Sequence, residues 1–336
     1  MLVPVLLFCL GLVLLIKGGD RFVDGATGIA HRFHVPELLI GATVVSIGTT
    51  LPEVMVSATS ALGGHSEIAY GNAIGSIICN TALISAITMA VRPCKVDQKT
   101  FRGPVIFFFA AALFYSLVAY ITGSFSRIVG IVLLALFVAY ILYNVRNARL
   151  HPELAEEEED EEEGKPDFLT SLLNKVTKGN ESISNFGLLV IGAALIAWGA
   201  DLLVDNGTLI AQSLGVPESV IALTFVALGT SLPELVTAIT SLAKGHGALS
   251  LGNIVGANIF NLVLVGGVSI TLRPFNIPVA KTVAGMNASL LVEIPVMLFV
   301  MAFMTLPALK RGKLTRAQGI TLLAVYAAFC VFQFVS

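Results

Sequence analysis

The chain is poor in charged residues and has no paired cysteines. Asp, Glu, Lys and Arg make up only 12% of its 336 residues, against 56% hydrophobic residues, and the mean hydropathy is +0.87. Soluble globular domains carry about 25% charged residues, so the composition excludes that class. Cys9, Cys79, Cys94 and Cys330 show no paired spacing, which argues against a disulfide framework or a cysteine metal site. We expect no cofactor, no enzymatic activity and no nucleic-acid partner.

Long apolar segments dominate instead, and each is long enough to cross a bilayer, which takes about 20 residues. The first five lie near 2–31, 36–61, 67–91, 103–121 and 127–146. The second five lie near 184–212, 217–242, 248–272, 283–303 and 315–335. We predict an all-α polytopic membrane protein with ten transmembrane helices in the lipid bilayer. The first segment lacks a basic leader and a cleavage site, so we expect a span and not a signal peptide.

The polar stretch 147–183 separates repeat 1–146 from repeat 184–336. It contains eight consecutive acidic residues at 156–163, and such a run repels itself and stays disordered. We interpret the stretch as a tether, with calcium sensing as the less favoured alternative.

Basic residues predict the orientation of the chain in a cell membrane. With the N-terminus outside, the three basic residues of the outer loops are Arg127, Arg273 and Lys281. The inner loops carry fifteen: Arg32, Arg92, Lys95, Lys99, Arg102, Arg146, Arg149, Lys165, Lys175, Lys178, Lys244, Lys310, Arg311, Lys313 and Arg316. We therefore predict that both termini are extracytoplasmic and that the acidic linker is cytoplasmic.

The two halves are copies of each other at an offset of 181 residues, with no gap from Gly18 to Asn80. The offset places Asp20 on Asp201, Asp24 on Asp205, Glu37 on Glu218, Glu53 on Glu234, His65 on His246, Asn72 on Asn253 and Asn80 on Asn261. Five spans per half is an odd number, so the second half must insert upside down. Transporters built from such inverted repeats bind their substrates near the midplane, where discontinuous helices meet.

A proline and a glutamate recur together inside apolar segments, as Gly48-Thr49-Thr50-Leu51-Pro52-Glu53 and Gly229-Thr230-Ser231-Leu232-Pro233-Glu234. A carboxylate at the bilayer centre costs about 2.5–3.5 kcal/mol, and a proline inside a helix removes a backbone donor. We predict broken helices 2 and 7 whose freed carbonyls and carboxylates face a cation. The alternative is a purely structural role, in which Thr50 and Ser231 form capping boxes with the glutamates.

The segment that follows each motif is also duplicated. Asn72, Ser76 and Asn80 recur at intervals of four residues and share one helix face, and Asn253 and Asn261 repeat the asparagines. The site donors are therefore carboxylates, amides, hydroxyls and carbonyls. Oxygen-only coordination with two negative charges suits Ca²⁺, and the same oxygens suit Na⁺.

The doubled motifs GTTLPE with GNAIGSIICN and GTSLPE with GNIVGANIFN resemble the paired alpha repeats of the cation/calcium exchanger superfamily, especially its prokaryotic sodium/calcium exchanger branch. The resemblance implies an antiporter in which Glu53 and Glu234 hold Ca²⁺ with the carbonyls of Thr49 and Thr230. It also implies that Asn80 and Asn261 line the centre and that helices 1 and 6 slide as a pair. It places Na⁺ at flanking sites made of those glutamates, the hydroxyls of Thr49, Thr230 and Ser76, and the carbonyls of Ser46 and Ala227.

Three positions depart from the family pattern. Ala257 replaces a serine, Asn261 stands where many members have aspartate, and Ile77 stands in place of an asparagine. The first removes a sodium ligand, and the second argues against potassium co-transport. Coupling stoichiometry is the property that these changes affect.

Two alternative functions use the same paired acids. A proton-driven calcium exchanger would need only the glutamates, whereas the neighbouring hydroxyls favour sodium. An intramembrane aspartic protease would need catalytic aspartates and a Gly-x-Gly-Asp motif, which the sequence lacks. Asp20, Asp24, Asp201 and Asp205 are interpreted as solvated or helix-positioning residues.

Overall fold

The computed structural model describes residues 2–150, 180–214, 229–279, 282–283 and 285–335. The acidic run and residues 217–228 of the predicted seventh span lie outside the described residues. Within these ranges, nine helical stretches are long and apolar enough to cross a membrane, and Leu232–Ala243 is a shorter apolar helix. The prediction of an all-helical, polytopic membrane protein is confirmed.

The first half contains seven α-helices and two π-helices. They are α1 (Leu2–Phe33), α2 (Glu37–Ile40), π1 (Gly41–Val45), α3 (Ser46–Leu62), α4 (Ser66–Cys79), π2 (Asn80–Ser85), α5 (Ala86–Val91), α6 (Gln98–Thr122) and α7 (Arg127–Leu150), with strand β1 (Ser124–Phe125) before α7.

The second half contains six α-helices and two π-helices among the described residues. It contains α8 (Glu181–Ser213), α9 (Leu232–Ala243), α10 (Gly247–Phe260), π3 (Asn261–Val265), α11 (Gly266–Leu272), π4 (Ser289–Glu293), α12 (Ile294–Arg311) and α13 (Arg316–Val335), with strands β2 (Phe275–Asn276), β3 (Thr282–Val283) and β4 (Met286–Asn287).

The structure keeps the 181-residue register of the duplication. Helix α4 and its counterpart α10 begin and end at equivalent positions, and both continue into a π-helix that begins at an asparagine, Asn80 or Asn261. Asn80 and Asn261 therefore occupy equivalent places in the two repeats, at the junction of an α-helix and a π-helix.

Helices α1 and α8, the equivalent first helices of the two repeats, pack along each other in opposite directions. Gly11 lies against Gly199, Gly18 against Ile196, and Gly25 against Leu189. At Gly11 an added Cβ would lie 2.8 Å from the carbonyl oxygen of Gly199, so glycine allows the backbones to approach. Equivalent helices that run antiparallel are the geometry expected of an inverted repeat.

The predicted break of helix 2 is not found, because α3 continues through Pro52. A proline deletes a single backbone donor, and in a membrane protein neighbouring helices can accommodate the freed group. The departure from α-helical geometry comes earlier, at π1. At the second proline motif, Thr230 and Ser231 form a turn before α9, whose first turn contains Pro233. The part of the predicted helix 7 that precedes Gly229 lies outside the described residues, so its break stays a prediction.

Contacts between loops distinguish two faces of the molecule. The backbones of Lys95 and Lys313 form an isolated antiparallel β-bridge, and the side chain of Arg92 donates to the carbonyl of Leu242 at 3.2 Å. The loops at 92–97, 242–246 and 312–315 therefore lie together. We call this the basic face. On the other side, β1 pairs with β2 and Arg127 donates to the carbonyl of Thr271 at 3.0 Å.

Candidate functional site

Glu53 and Glu234 lie at equivalent positions of the two repeats, Glu53 within α3 and Glu234 in the first turn of α9. Both side chains are 0% exposed. The carboxyl groups are near enough for their charges to interact. The structure thus brings together the two acids that the sequence singled out.

The described residues donate few hydrogen bonds to the oxygens of these two carboxylates. Neither side-chain oxygen of Glu53 has a hydrogen-bond partner among the described residues, and the same is true of Oε2 of Glu234. Oε1 of Glu234 accepts a hydrogen bond from the hydroxyl of Thr50 at 3.5 Å, which joins the two repeats. Buried charges are ordinarily paired or coordinate a cation, so this pair is suited to a positively charged substrate.

Asn80 and Asn261 open π2 and π3 and are fully buried. Both amide atoms of each side chain lack a hydrogen-bond partner within the described ranges. Single π-helical turns occur often at functional sites. Because the amide oxygens make no hydrogen bond to the described residues, they are available to coordinate a cation.

Asn72 and Asn253, in contrast, are used by the protein itself. Asn72 donates to the backbone carbonyl of Glu53 at 3.2 Å and to the hydroxyl of Ser57 at 2.8 Å. Oδ1 of Asn253 accepts hydrogen bonds from the hydroxyls of Thr49 at 3.2 Å and Ser46 at 3.3 Å. These two asparagines position the surroundings of the glutamates.

The remaining predicted site residues have mixed outcomes. Ser76 and Pro233 are buried, Thr230 and Pro52 are half-buried, and Ala227 lies outside the described residues. The alternative interpretation, capping boxes, is wrong: Thr50 lies inside α3, and the Ser231 side chain makes no cap hydrogen bond. Thr50 instead reaches across to Glu234 because the two proline motifs face each other.

Asn258 is a buried polar residue to which the sequence patterns assign no role. Its Nδ2 donates to the hydroxyl of Thr81 at 2.8 Å and to the sulfur of Met301 at 3.1 Å, and its Oδ1 has no partner in the described part of the chain. Its equivalent in the first repeat is Ile77. The available signal was a third asparagine in the apolar segment that already contained Asn253 and Asn261.

Comparison with known proteins relates the whole arrangement to ion exchangers. The family model described as sodium/calcium exchanger protein matches residues 3–146 and 184–335. An uncharacterized membrane protein of Methanocaldococcus jannaschii is 35% identical over 324 residues, which cover 95% of this chain and 94% of that protein. Sodium/calcium exchanger MaX1 of Methanosarcina acetivorans is 31% identical over 363 residues and covers 98% of both chains.

A solved structure has the same fold. The sodium-calcium exchanger NCX_Mj, soaked with Na⁺ and Sr²⁺, superposes with a TM-score of 0.78 at 31% identity over 97% of each chain. The family match spans both repeats, and the curated relatives extend over nearly the full length. The chain belongs to the sodium/calcium exchanger protein family of membrane cation exchangers.

Proposed function

We propose that the protein exchanges Na⁺ for Ca²⁺ across the cell membrane, and that Glu53 and Glu234 hold the calcium ion. One observation carries the proposal: two fully buried carboxylates from opposite repeats are near enough for their charges to interact, and the described residues supply no cation to neutralise them. Two negative charges balance one Ca²⁺. The names of MaX1 and NCX_Mj as sodium/calcium exchangers support the same assignment.

The proposed calcium site adds neutral oxygens to the two carboxylates. The amides of Asn80 and Asn261 line it, and the backbone carbonyls of Thr49 and Thr230 complete it. Hard cations such as Ca²⁺ prefer six to eight oxygen ligands. The unpartnered amide oxygens of both asparagines support this arrangement.

The proposed sodium sites flank the calcium site and share its glutamates. The further donors are the hydroxyls of Thr49, Thr230 and Ser76 and the carbonyls of Ser46 and Ala227. The hydroxyl of Ser46 is already bonded to the carbonyls of Gly41, at 2.7 Å, and Asn253, at 3.0 Å. These bonds fix the orientation of the Ser46 side chain, and the proposed ligand is the backbone carbonyl of the same residue.

Sharing the glutamates couples the two ions. If Na⁺ and Ca²⁺ were fully bound at once, the added positive charge would be uncompensated in a buried site. The site therefore binds one ion species at a time. The moving helices change position only when Na⁺ or Ca²⁺ has neutralised the two carboxylates. A sodium gradient then drives calcium in the opposite direction.

We also propose that the basic face is cytoplasmic, with both termini on the other side. The excess of Lys and Arg at the ends of the spans on this face supports the orientation. Reporter fusions at 155 and at the C-terminus test it. A reporter that is active in the cytoplasm should work at 155 and fail at the terminus, and the reverse result would invert the topology.

Calcium binding to the purified protein tests the coupling ion. We expect calcium affinity to fall as sodium rises, with choline as the ionic-strength control. Affinity that is unaffected by sodium and falls only in acid would replace Na⁺ by H⁺ as the driving ion. Calcium flux into proteoliposomes with an imposed sodium or proton gradient checks the same point during transport.

A further inference from the structure

Polar side chains continue along α9 from Glu234 to the basic face. Thr237, Ser241 and Lys244 follow Glu234 at three, seven and ten positions. This spacing places all four on one stripe of the helix. Lys244 lies at the end of α9 on the basic face, so the stripe connects the buried carboxylates with one side of the membrane.

The two middle residues of the stripe are polar groups that the fold does not satisfy. Thr237 and Ser241 are 0% exposed, and neither hydroxyl oxygen has a hydrogen-bond partner among the described residues. A buried hydroxyl without a partner costs about 1–3 kcal/mol. Packing alone would be served better by valine and alanine, so these hydroxyls are suited to contact water or a partly hydrated cation.

Lys244 closes the end of the stripe against α1. Its Nζ lies 2.6 Å from Oδ1 of Asp24 and 3.8 Å from Oδ1 of Asp20, and it donates to the carbonyl of Asp20 at 3.2 Å. Asp20 and Asp24 are therefore ion-paired with Lys244 and are not simply solvated. This contact ties the core of the protein to one of the two helices that the family resemblance expects to slide.

We propose that the stripe Thr237–Ser241 is the route of Na⁺ and Ca²⁺ between Glu234 and the basic face, and that Lys244 is its plug. In the paired arrangement the ammonium group occupies the mouth and repels cations. When α1 moves, Lys244 separates from Asp24, and the route opens. The inference rests on the proposed exchange function and adds the path that the ions take.

The plug belongs to one side of the molecule. The offset of 181 residues places Thr237, Ser241 and Lys244 on Val56, Ser60 and Gly63. The first repeat therefore lacks both the lysine and one hydroxyl of the stripe, although it matches Glu234 with Glu53. The first repeat therefore cannot form the same ion pair, and this kind of closure is specific to the second repeat.

Thiol labelling of the full-length protein in proteoliposomes tests the route. Single variants Thr237→Cys and Ser241→Cys are treated with a membrane-impermeant cationic methanethiosulfonate from the basic face, and labelling is read by mass spectrometry on the tryptic peptide that ends at Lys244, or on the longer tryptic peptide that forms where Lys244 is replaced by Met. Neither peptide contains a native cysteine. Ala238→Cys is the matched control because Ala238 is also fully buried but packs in an apolar cluster with Ile84 and Ile254.

We expect labelling at 237 and 241 and none at 238. Adding Lys244→Met should speed labelling at 241 by about two- to fivefold, the scale of a partly exposed ion pair, whereas Lys244→Arg should not. Equal rates at 241 and 238 with Lys244→Met present would overturn the route, and labelling only from the opposite face would do the same. Calcium flux of the same samples keeps the two proposals separate: flux without labelling contradicts the route alone, and absence of sodium-driven flux in the unmodified protein contradicts the exchange function.

Discussion

Asn72 and Asn80 lie about two helical turns apart, yet their amides have different surroundings. Asn72 is bonded to Glu53 and Ser57, whereas neither amide atom of Asn80 has a partner among the described residues. Asn253 and Asn261 differ in the same direction, because Oδ1 of Asn253 accepts two hydrogen bonds whereas neither amide atom of Asn261 has a partner in the described ranges. At the scale of single residues, polar side chains that maintain the fold can thus be told from those available to a substrate.

The two glutamates give the most direct prediction. We expect Glu53→Gln and Glu234→Gln each to abolish calcium transport while the protein still folds, because the amide removes charge compensation for the ion and also removes the desolvation cost of a buried carboxylate. Calcium flux and the unfolding temperature in detergent measure the two effects. Glu67→Gln, at an exposed position, is the control, and wild-type flux in either glutamate variant would contradict the site.

The asparagines should respond in opposite ways. Asn72→Ala should lower the free energy of unfolding by about 1 kcal/mol, since it deletes two hydrogen bonds of the fold. Asn80→Ala should leave stability unchanged or raised and should weaken calcium binding. Unfolding temperature and calcium titration, measured on both variants, distinguish the roles. Equal loss of stability in both variants would show that Asn80 is structural.

At the scale of helices, close packing of α10 against α2 and π1 holds the two repeats together. A Cβ added at Gly252 would collide with the carbonyl of Leu38, and one added at Gly256 would collide with the hydroxyl of Ser46. The equivalent residues Gly71 and Gly75 have no atom of the described chain within 4 Å of such a Cβ. Of these four equivalent glycines, only the two of the second repeat allow a close approach between helices in the described part of the chain.

Gly252→Ala should therefore destabilise the protein by about 1–3 kcal/mol, the usual cost of overpacking. Gly266→Ala is the matched control, because the added Cβ would meet the carbonyl of Asn261 only at 3.7 Å. Thermal unfolding of both variants in detergent provides the comparison. If Gly252→Ala were as stable as the control, the two backbones would not be in contact.

Asp97 caps α6 at the basic face. Its carboxylate accepts hydrogen bonds from the backbone N–H groups of Lys99 at 3.1 Å and Thr100 at 3.0 Å and from the Thr100 hydroxyl at 2.8 Å. Partial burial raises the pKa of Asp97, but the hydrogen bonds from Thr100 and Lys99 outweigh it and lower the pKa overall. The ionised cap is therefore the stabilising form.

Asp97→Ala should lower the free energy of unfolding by about 0.5–2 kcal/mol, whereas Asp97→Asn, itself a good cap, should cost less. Because folding lowers this pKa, the full contribution of the ionised cap is present above the usual aspartate pKa of about 3.9. It is lost as pH falls through the lower folded value. Unfolding measured from pH 8 down to pH 3 should show a constant difference between the unmodified protein and the Asp97→Ala variant that shrinks only in acid.

At the scale of the whole molecule, α1 and α8 pack mainly on each other, and the glutamates belong to two of the remaining helices, α3 and α9. A cavity of about 320 Å³ lies between the two parts and is bordered by Phe22, Thr49, Pro52 and Ala193. The space lies beside the proline motifs. This division suits a sliding pair of helices that exposes the site to one face at a time.

The acidic run of the linker is interpreted from its sequence as part of a tether. Deletion of 154–165 should leave sodium-driven calcium flux within about twofold of the full chain, because a tether contributes mainly length. Flux is compared after membrane insertion has been matched by immunoblot. Loss of transport with normal insertion would place the acidic run in the mechanism.

The sequence by itself determined the duplication, the apolar spans, and the pairing of Glu53 with Glu234. These follow from local chemistry, since a 181-residue offset and a buried acid in an apolar segment are visible without coordinates. Only the tertiary structure decided that α3 passes through Pro52, that Asn253 serves Ser46 and Thr49, and that Lys244 binds Asp24. Each of these depends on contacts between segments that are distant in sequence. What packs beside a helix decides whether it breaks or continues at a proline. The same neighbours decide whether a buried polar group finds a hydrogen-bond partner.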